Sequence, residues 1–423
     1  MWNKKRVLAA SVCAIIILLA VCFFRPRGER LSLPLGSGLP AVSLGATHGL
    51  ILASDGSLWT WGSDFLGWPV LGLGKINHQS HLRRLGIETN WISISAGTSH
   101  SLAVKSDGTL WAWGENIYSQ LGDGKSAAFQ NAPVPSAPGN DWRQAAAGGS
   151  HTVALKKDGT LWAWGNNWAG QLGIGSTIAS RVPRQIGSAS NWVKVWAGGV
   201  TGAGLQSDGS LWLWGSLMQR TNELDNLLIP TRLSPDTTNW VDAAFGPDDL
   251  VAIKSDGTLW AWGRFAAVYR GSAENPATPV RVGTNSDWQT CSSSEWARDL
   301  YLLLRKKDGS IWTMEFELSG GGPVRFTQIH LPTDVIAVAG GGGGGHGVAE
   351  SMHDGVSTGV ALTRDGQVWT WGRALGHSNP ALQTLAGFAR GLHFDVNWGD
   401  AKAINRDQPW QLPNLDPEAT AKK

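Results

Sequence analysis

The chain has 423 residues, 55 Gly, 25 Trp against 3 Tyr and 10 Phe, and a net charge of +2. Charged residues make up only 16% and hydrophobic residues 42%, which excludes a disordered polar chain, and the glycines follow no collagen triplet. Three Cys, two of them in the N-terminal apolar run, exclude a disulfide framework in the rest of the chain.

Lys4, Lys5 and Arg6 precede an uncharged apolar run from Val7 to Phe24, closed by Arg25 and Arg27. As a helix this run spans roughly 27 Å, close to the hydrocarbon thickness of a bilayer. Residues 1–24 are therefore expected to be a single membrane anchor. The alternative is a cleaved signal that leaves a secreted or periplasmic protein. Basic residues flank both sides equally, so sidedness rests on the short stub before a large following domain, which favours export. Six of the 35 basic and one of the 33 acidic residues lie in residues 1–30, leaving 29 and 32, a net of −3. That balance speaks against nucleic acid as a partner.

After a linker at 25–38, one unit repeats through residues 39–405, and 406–423 form a tail. The block Asp-Gly-[Ser/Thr/Gln]-[Leu/Val/Ile]-Trp starts at Asp55, Asp107, Asp158, Asp208, Asp256, Asp308 and Asp365, spaced 48–57 residues apart. Six copies continue to Trp-Gly, and the sixth in order reads Trp312-Thr313-Met314 instead. A second block precedes the turn, with its Trp at 91, 142, 192, 240 and 288. Asp-Gly between alternating apolar runs is a hairpin signal, and period 2 places Trp111 and Trp113 on one face of a strand. Each unit supplies three or four strands and no convincing amphipathic helix. A small sheet cannot bury a wide indole face alone, and stacking with neighbours can. The fold class is all-β: a seven-bladed β-propeller, expected to close into a ring and to follow a single N-terminal hydrophobic helix. Asn397-Trp398-Gly399-Asp400-Ala401 resembles the start of a further unit, and is expected to pair with the first blade.

These units resemble the regulator of chromosome condensation repeat family. The third copy carries the resemblance best, from Gly149-Ser150-His151 through Asp158-Gly159-Thr160-Leu161-Trp162-Ala163-Trp164-Gly165 to Gly170-Gln171-Leu172-Gly173. The resemblance implies a seven-bladed propeller over residues 39–400. The name-giving member is a nuclear exchange factor for a small GTPase, a role that fits poorly with an anchored, acidic domain. One exported member inhibits β-lactamases.

The chemistry-bearing residues have structural explanations. His48, His100 and His151 recur in phase, and are expected to bond within their own blades rather than to hold a metal, since ligands one blade apart sit too far from each other. The Asp of each turn bonds its own backbone two residues on. Gly340–Gly345 lacks the helix and Lys-Ser/Thr of a phosphate loop and reads as an inserted loop. Cys291 is expected to be buried. No nucleophile constellation and no cofactor motif occurs, so a non-catalytic module is expected; the alternative is an enzyme, or enzyme subunit, acting at the central channel. Aromatic and apolar residues that break the unit pattern or fall in loops are Phe65, Trp68, Tyr118, Trp168 and Met218. Phe65, Trp168 and Met218 lie three residues beyond the glycine of Trp-Gly. They are expected to form a rim patch for a protein partner, with a glycan as the alternative.

Overall fold

The computed structural model describes residues 33–372, apart from 65–66, 77, 126, 217–226, 235–236, 247–248, 270–278, 294–299, 317–323, 332–333 and 344–355, together with 410–411. The N-terminal run and residues 397–401 lie outside this set. Among the described residues no helix is long and apolar enough to cross a membrane.

The chain folds as an all-β, seven-bladed propeller. Each blade is a four-stranded antiparallel sheet whose strands follow one another in chain order. The first sheet runs from its inner strand, Ala41–Leu44, through His48–Leu52 and Leu58–Ser63 to its outer strand, His78–Arg84. All four of its strands come from one continuous stretch. The C-terminal strand, Trp410–Gln411, pairs instead with Val368–Gly372 in the seventh sheet.

Each Asp-Gly hairpin is held by a relay that its sequence encodes. Asp107 Oδ1 accepts from the Thr109 amide at 2.9 Å and from its hydroxyl at 2.7 Å, and Trp111 Nε1 donates to that hydroxyl at 3.0 Å. The same relay forms at Asp55, Asp158, Asp208, Asp256 and Asp308. These bonds hold the Asp107, Asp158 and Asp308 carboxyls below their ordinary range. The seventh unit has Gln367 in place of the hydroxyl, and Trp369 Nε1 is buried without a partner among the described residues. Glycine is required at the turn: Gly108 has φ +85°, and a Cβ there would lie 1.9 Å from the Asn140 carbonyl.

The two indoles of each pair share a face but not a depth. The second is fully buried, as at Trp113, Trp164 and Trp214, while Trp111, Trp162 and Trp212 are half-buried. The Trp face of one sheet packs on the aliphatic face of the sheet before it. Trp142 and Trp164 of the third sheet meet Leu102, Val104 and Leu110 of the second. Clusters of this kind lie at every junction between consecutive sheets, and another joins Val360 and Leu362 of the seventh to Ile51 and Trp61 of the first. The sixth sheet keeps its geometry without the second Trp, because Met314 fills that place and Phe326 stacks on Trp288 at 5.5 Å. Within four sheets a lysine sits over two indoles; Lys105 Nζ lies 4.7 Å from the Trp91 ring centroid and 4.1 Å from that of Trp111.

The junctions are also tied by polar groups. Trp113 Nε1 donates to the Val70 carbonyl of the preceding sheet at 2.8 Å, Trp164 to Gln120 at 2.9 Å and Trp214 to Gln171 at 3.0 Å. The histidines work here too, and not inside their own blades as the sequence suggested. His48 Nε2 bonds Ser101 Oγ of the next sheet at 2.7 Å, and His100 Nε2 bonds Thr152 Oγ1 at 3.1 Å. Each hydroxyl spends its proton on a carbonyl, that of Val70 or Gln120, so each imidazole must donate from Nε2. The equivalent hydroxyl position after His151 is Gly202, so that tie is missing.

Three further sequence readings change. Gly340–Gly343 are strand, paired from Gly340↔Gly359 to Gly343↔Val356, rather than loop. A short helix, Arg264–Tyr269, follows the fifth Trp-Gly, with Phe265 and Ala266 fully buried. Cys291 is half-buried on an inner strand, and burial first, then the Asp242 carboxylate, pushes its thiol up. Outer strands carry prolines, Pro133 and Pro135 in the second sheet, Pro183 in the third and Pro230 in the fourth, which blunt those edges.

Burial holds His48 and His100 at about 3 and His151 at about 4, against an ordinary value of 6.5. The unfolded chain binds these protons first, so their stability contribution is complete above pH 6.5 and is lost as pH falls towards about 4 for His151 and about 3 for His48 and His100. Each such imidazole contributes about 1.4 kcal/mol per pH unit in that window. Denaturant unfolding between pH 7.5 and 5 is expected to show stability falling by several kcal/mol, with a shallower slope in His100→Gln. In a second test, Gln367→Thr supplies the missing hydroxyl for Trp369 and is expected to stabilise by about 1 kcal/mol in thermal melts.

Candidate functional site: the rim loops and the inner wall

The loops between the third and outer strands are built to be stiff. In the second sheet, Asn116 Oδ1 accepts from the Leu121 amide at 3.0 Å and Gln120 Oε1 from the Tyr118 amide at 3.0 Å. In the third, Asn167 and Gln171 repeat this at 2.9 Å to Leu172 and Ala169. Asn167 Nδ2 also donates to Ser176 and Ile178 carbonyls at 2.8 and 2.9 Å. Asp64 holds the Asn position in the first sheet; it accepts from the Leu71 and Val70 amides, and burial pushes its carboxyl up to about 6. Each loop lies against the next sheet. Gly74 N donates to the Asn131 carbonyl and Gly175 N to the Leu228 carbonyl, both at 2.8 Å.

These loops leave apolar side chains in water. Trp168 is 57% exposed and Tyr118 46%. Ile117 holds the loop position of Trp168 one sheet earlier and is 54% exposed. Trp68 is half-buried, its ring 6.3 Å from that of Phe129 on the second sheet's outer strand. Phe65 and Met218 lie outside the described residues. The structure thus brings Trp68 to Phe129; it gives no direct contact joining Tyr118 to Trp168. Phe129 and Ile178 are exposed apolar residues on this rim that sequence reasoning missed. Their signal was weak, since each lies in a polar stretch outside the repeat block.

The inner strands of all seven sheets line one cavity of about 830 Å³. Neighbouring inner strands are laced together across it. Ser43 Oγ accepts from the Ala96 amide at 2.9 Å, Ser95 from Ala147 at 3.0 Å and Ser292 from Gly340 at 3.0 Å. Gln144 spans to Val195 of the fourth sheet, its side-chain amide Nε2 donating to the carbonyl at 2.9 Å. Asp242 bridges three sheets, taking Lys194 Nζ on Oδ1 at 2.5 Å and the Cys291 amide on Oδ2 at 3.0 Å.

Comparison with known proteins follows the same lines. The regulator of chromosome condensation (RCC1) repeat matches residues 107–155 and 158–201, and a second form of it matches 91–120 and 142–171. The probable E3 ubiquitin-protein ligase HERC6 of Homo sapiens is 36% identical over 155 residues, 35% of this chain and 15% of that protein. The ultraviolet-B receptor UVR8 of Arabidopsis thaliana is 32% identical over 169 residues, 38% of this chain and 37% of that protein. The matches therefore span well under half the length of these relatives. Human WBSCR16 superposes with a TM-score of 0.61 at 17% identity, covering 74% of this chain and 87% of its own. Prp20p of Saccharomyces cerevisiae gives 0.59 at 18%, covering 83% and 85%. Those two likenesses are of fold alone. Residues 91–201 thus carry regulator of chromosome condensation (RCC1) repeats, set within a propeller of seven sheets of one topology.

Proposed function

We propose that the propeller is a non-catalytic protein-binding module, displayed at a membrane by residues 7–24 on the extracytoplasmic side, and that its rim loops make the contact. The observation that carries this is the exposure of Tyr118, Trp168 and Ile117 on loops whose backbones are fixed by Asn and Gln side chains. Rigid aromatic side chains give contact area at low entropic cost. Phe65, Trp68 and Met218 belong to the same surface in this reading. A closed ring is part of the proposal, supported by the cluster shared between the seventh and first sheets and by the Leu33 amide donating to the Gly366 carbonyl at 2.8 Å. The net of −3 beyond residue 30 favours a protein over nucleic acid.

The relatives use repeats of this kind within longer proteins, among them a ubiquitin ligase of which the match covers 15%. A catalytic reading would need a reacting group at the inner wall; there Ser43, Ser95, Gln144, Asp242 and Ser292 hold strands together.

Affinity capture from a membrane extract with the full chain is expected to yield one stoichiometric protein. The double substitution Trp168→Ser with Tyr118→Ser is expected to weaken that capture by about tenfold or more while leaving the melting temperature within about 1 °C. Undiminished capture would remove the rim from the reading. Topology has its own check: a C-terminal alkaline phosphatase fusion is expected to be active, and the N-terminal segment to remain on the mature chain.

A further inference from the structure

Two side chains that line the inner wall depart from the repeat. The residue three before the turn Asp is Leu52, Val104, Leu155, Leu205, Ile253 and Leu362 in six units, and buried in each. In the sixth it is Arg305, which lines the cavity. Its Nε is buried without a hydrogen-bond partner, and Arg305 makes no ion pair, among the described residues. Arg305 is half-buried, so a buried Nε without a partner stands where the other units place a buried aliphatic side chain, at a cost in stability.

The second departure is Trp196. Its counterparts on the inner strands are Ser95, Ala146, Ala244 and Ser292, all small. Trp196 is half-buried, lines the same cavity, and has Lys194 Nζ 5.0 Å from its ring centroid. Lys194 is bonded to Asp242, and its side chain is 39% exposed. The charged groups lining the cavity are thus two cations, Lys194 and Arg305, and one anion, Asp242. Val42, Leu44, Ile94, Ile336 and Val338 supply an aliphatic wall. A volume of about 830 Å³ falls within the range of small-molecule sites, roughly 300–1,000 Å³.

We propose that this cavity is a binding site for one amphipathic anion, a carboxylate or sulfonate with a flat apolar body. Arg305 takes the anionic head in a charge-assisted pair, while Lys194 stays bonded to Asp242. The apolar body lies against the Trp196 indole and the aliphatic wall. This site is separate from the rim, and stands whether or not the rim binds a protein.

Naphthalene-2-sulfonate is a suitable probe, with neutral naphthalene-2-methanol as its control, titrated calorimetrically into the full chain. The expected result is saturable binding at one probe per chain, with the neutral control weaker by about tenfold or more. Arg305→Leu restores the side chain class of the other repeats, so it is expected to melt no lower than the parent while losing about tenfold in affinity. Trp196→Ala is expected to lose several-fold, and Trp168→Ser on the rim nothing. Arg305→Gln repeats the test with a polar isostere should the leucine variant fold poorly. The proposal is overturned by an absence of saturable binding, by equal affinity for the neutral control, by unchanged affinity in both Arg305 variants, or by a loss that follows Trp168 instead.

Discussion

Everything in this fold depends on an asymmetry between the two faces of each small sheet. One face is aliphatic, as with Leu102, Val104 and Leu110, and the other bears indoles, as with Trp142 and Trp164. Neither face is dry alone. Two indole faces would also leave the inner Trp Nε1 groups without acceptors, because those acceptors are carbonyls such as Val70 and Gln120 on the preceding sheet. Stacking is therefore directional, head to tail, and each added sheet presents the surface that the next requires. A buried indole removes about 200 Å² from water, an upper bound of roughly 5 kcal/mol at about 25 cal/mol per Å². The directional bond adds selectivity more than energy, since a buried Nε1 with no acceptor carries a penalty.

Much of this was legible in the sequence because it is local. Asp-Gly-x-x-Trp recurs seven times and gives the blade tally directly, and in six of the seven a hydroxyl at the third position makes it a self-contained relay within five residues. What the sequence hid lies about 50 residues away in the chain. The pairing of His48 with Ser101 and of His100 with Thr152 joins residues 53 and 52 apart, one repeat onwards, where periodicity within a strand says nothing. A trace was present, since a hydroxyl follows the imidazole directly in the second and third units, but it reads as strand decoration without the neighbour in place. The difference in depth between Trp111 and Trp113 was hidden likewise, because both obey the same period.

Degenerate repeats show which part of the signature is chemistry and which is volume. The sixth unit loses its second Trp, yet Met314 and Phe326 fill the space. The fifth loses Gln-Leu-Gly, and the helix Arg264–Tyr269 supplies Phe265 and Ala266 to the core instead. Packing accepts such substitutes when volume is kept. The relay hydrogen bond finds no such substitute in the seventh unit: Gln367 stands in place of the hydroxyl, and Trp369 Nε1 has no partner among the described residues. Glycine at strand position 340–343 misled for a related reason. A strand takes its pairing from the backbone, so Val356–Thr363 can recruit four glycines that carry no pattern of their own.

The same logic separates the rim from the wall as places where function can reside. On the rim, Ile117 and Trp168 stand at a loop position that no neighbouring sheet covers, so the repeat places no demand on their identity. Bulk there is permitted rather than required. On the wall the repeat holds small residues at the inner-strand position of Trp196 and aliphatic ones at the second-strand position of Arg305, and these two side chains break it. A departure at a constrained position carries a cost that a departure at a free one does not, which makes the wall the more informative of the two. The bonds at Ser43, Ser95, Gln144, Asp242 and Ser292 lace the inner strands together and hold the shape of the cavity. A pocket already held open spends little of its binding energy on ordering, and this is the condition under which a single unpaired guanidinium can govern affinity.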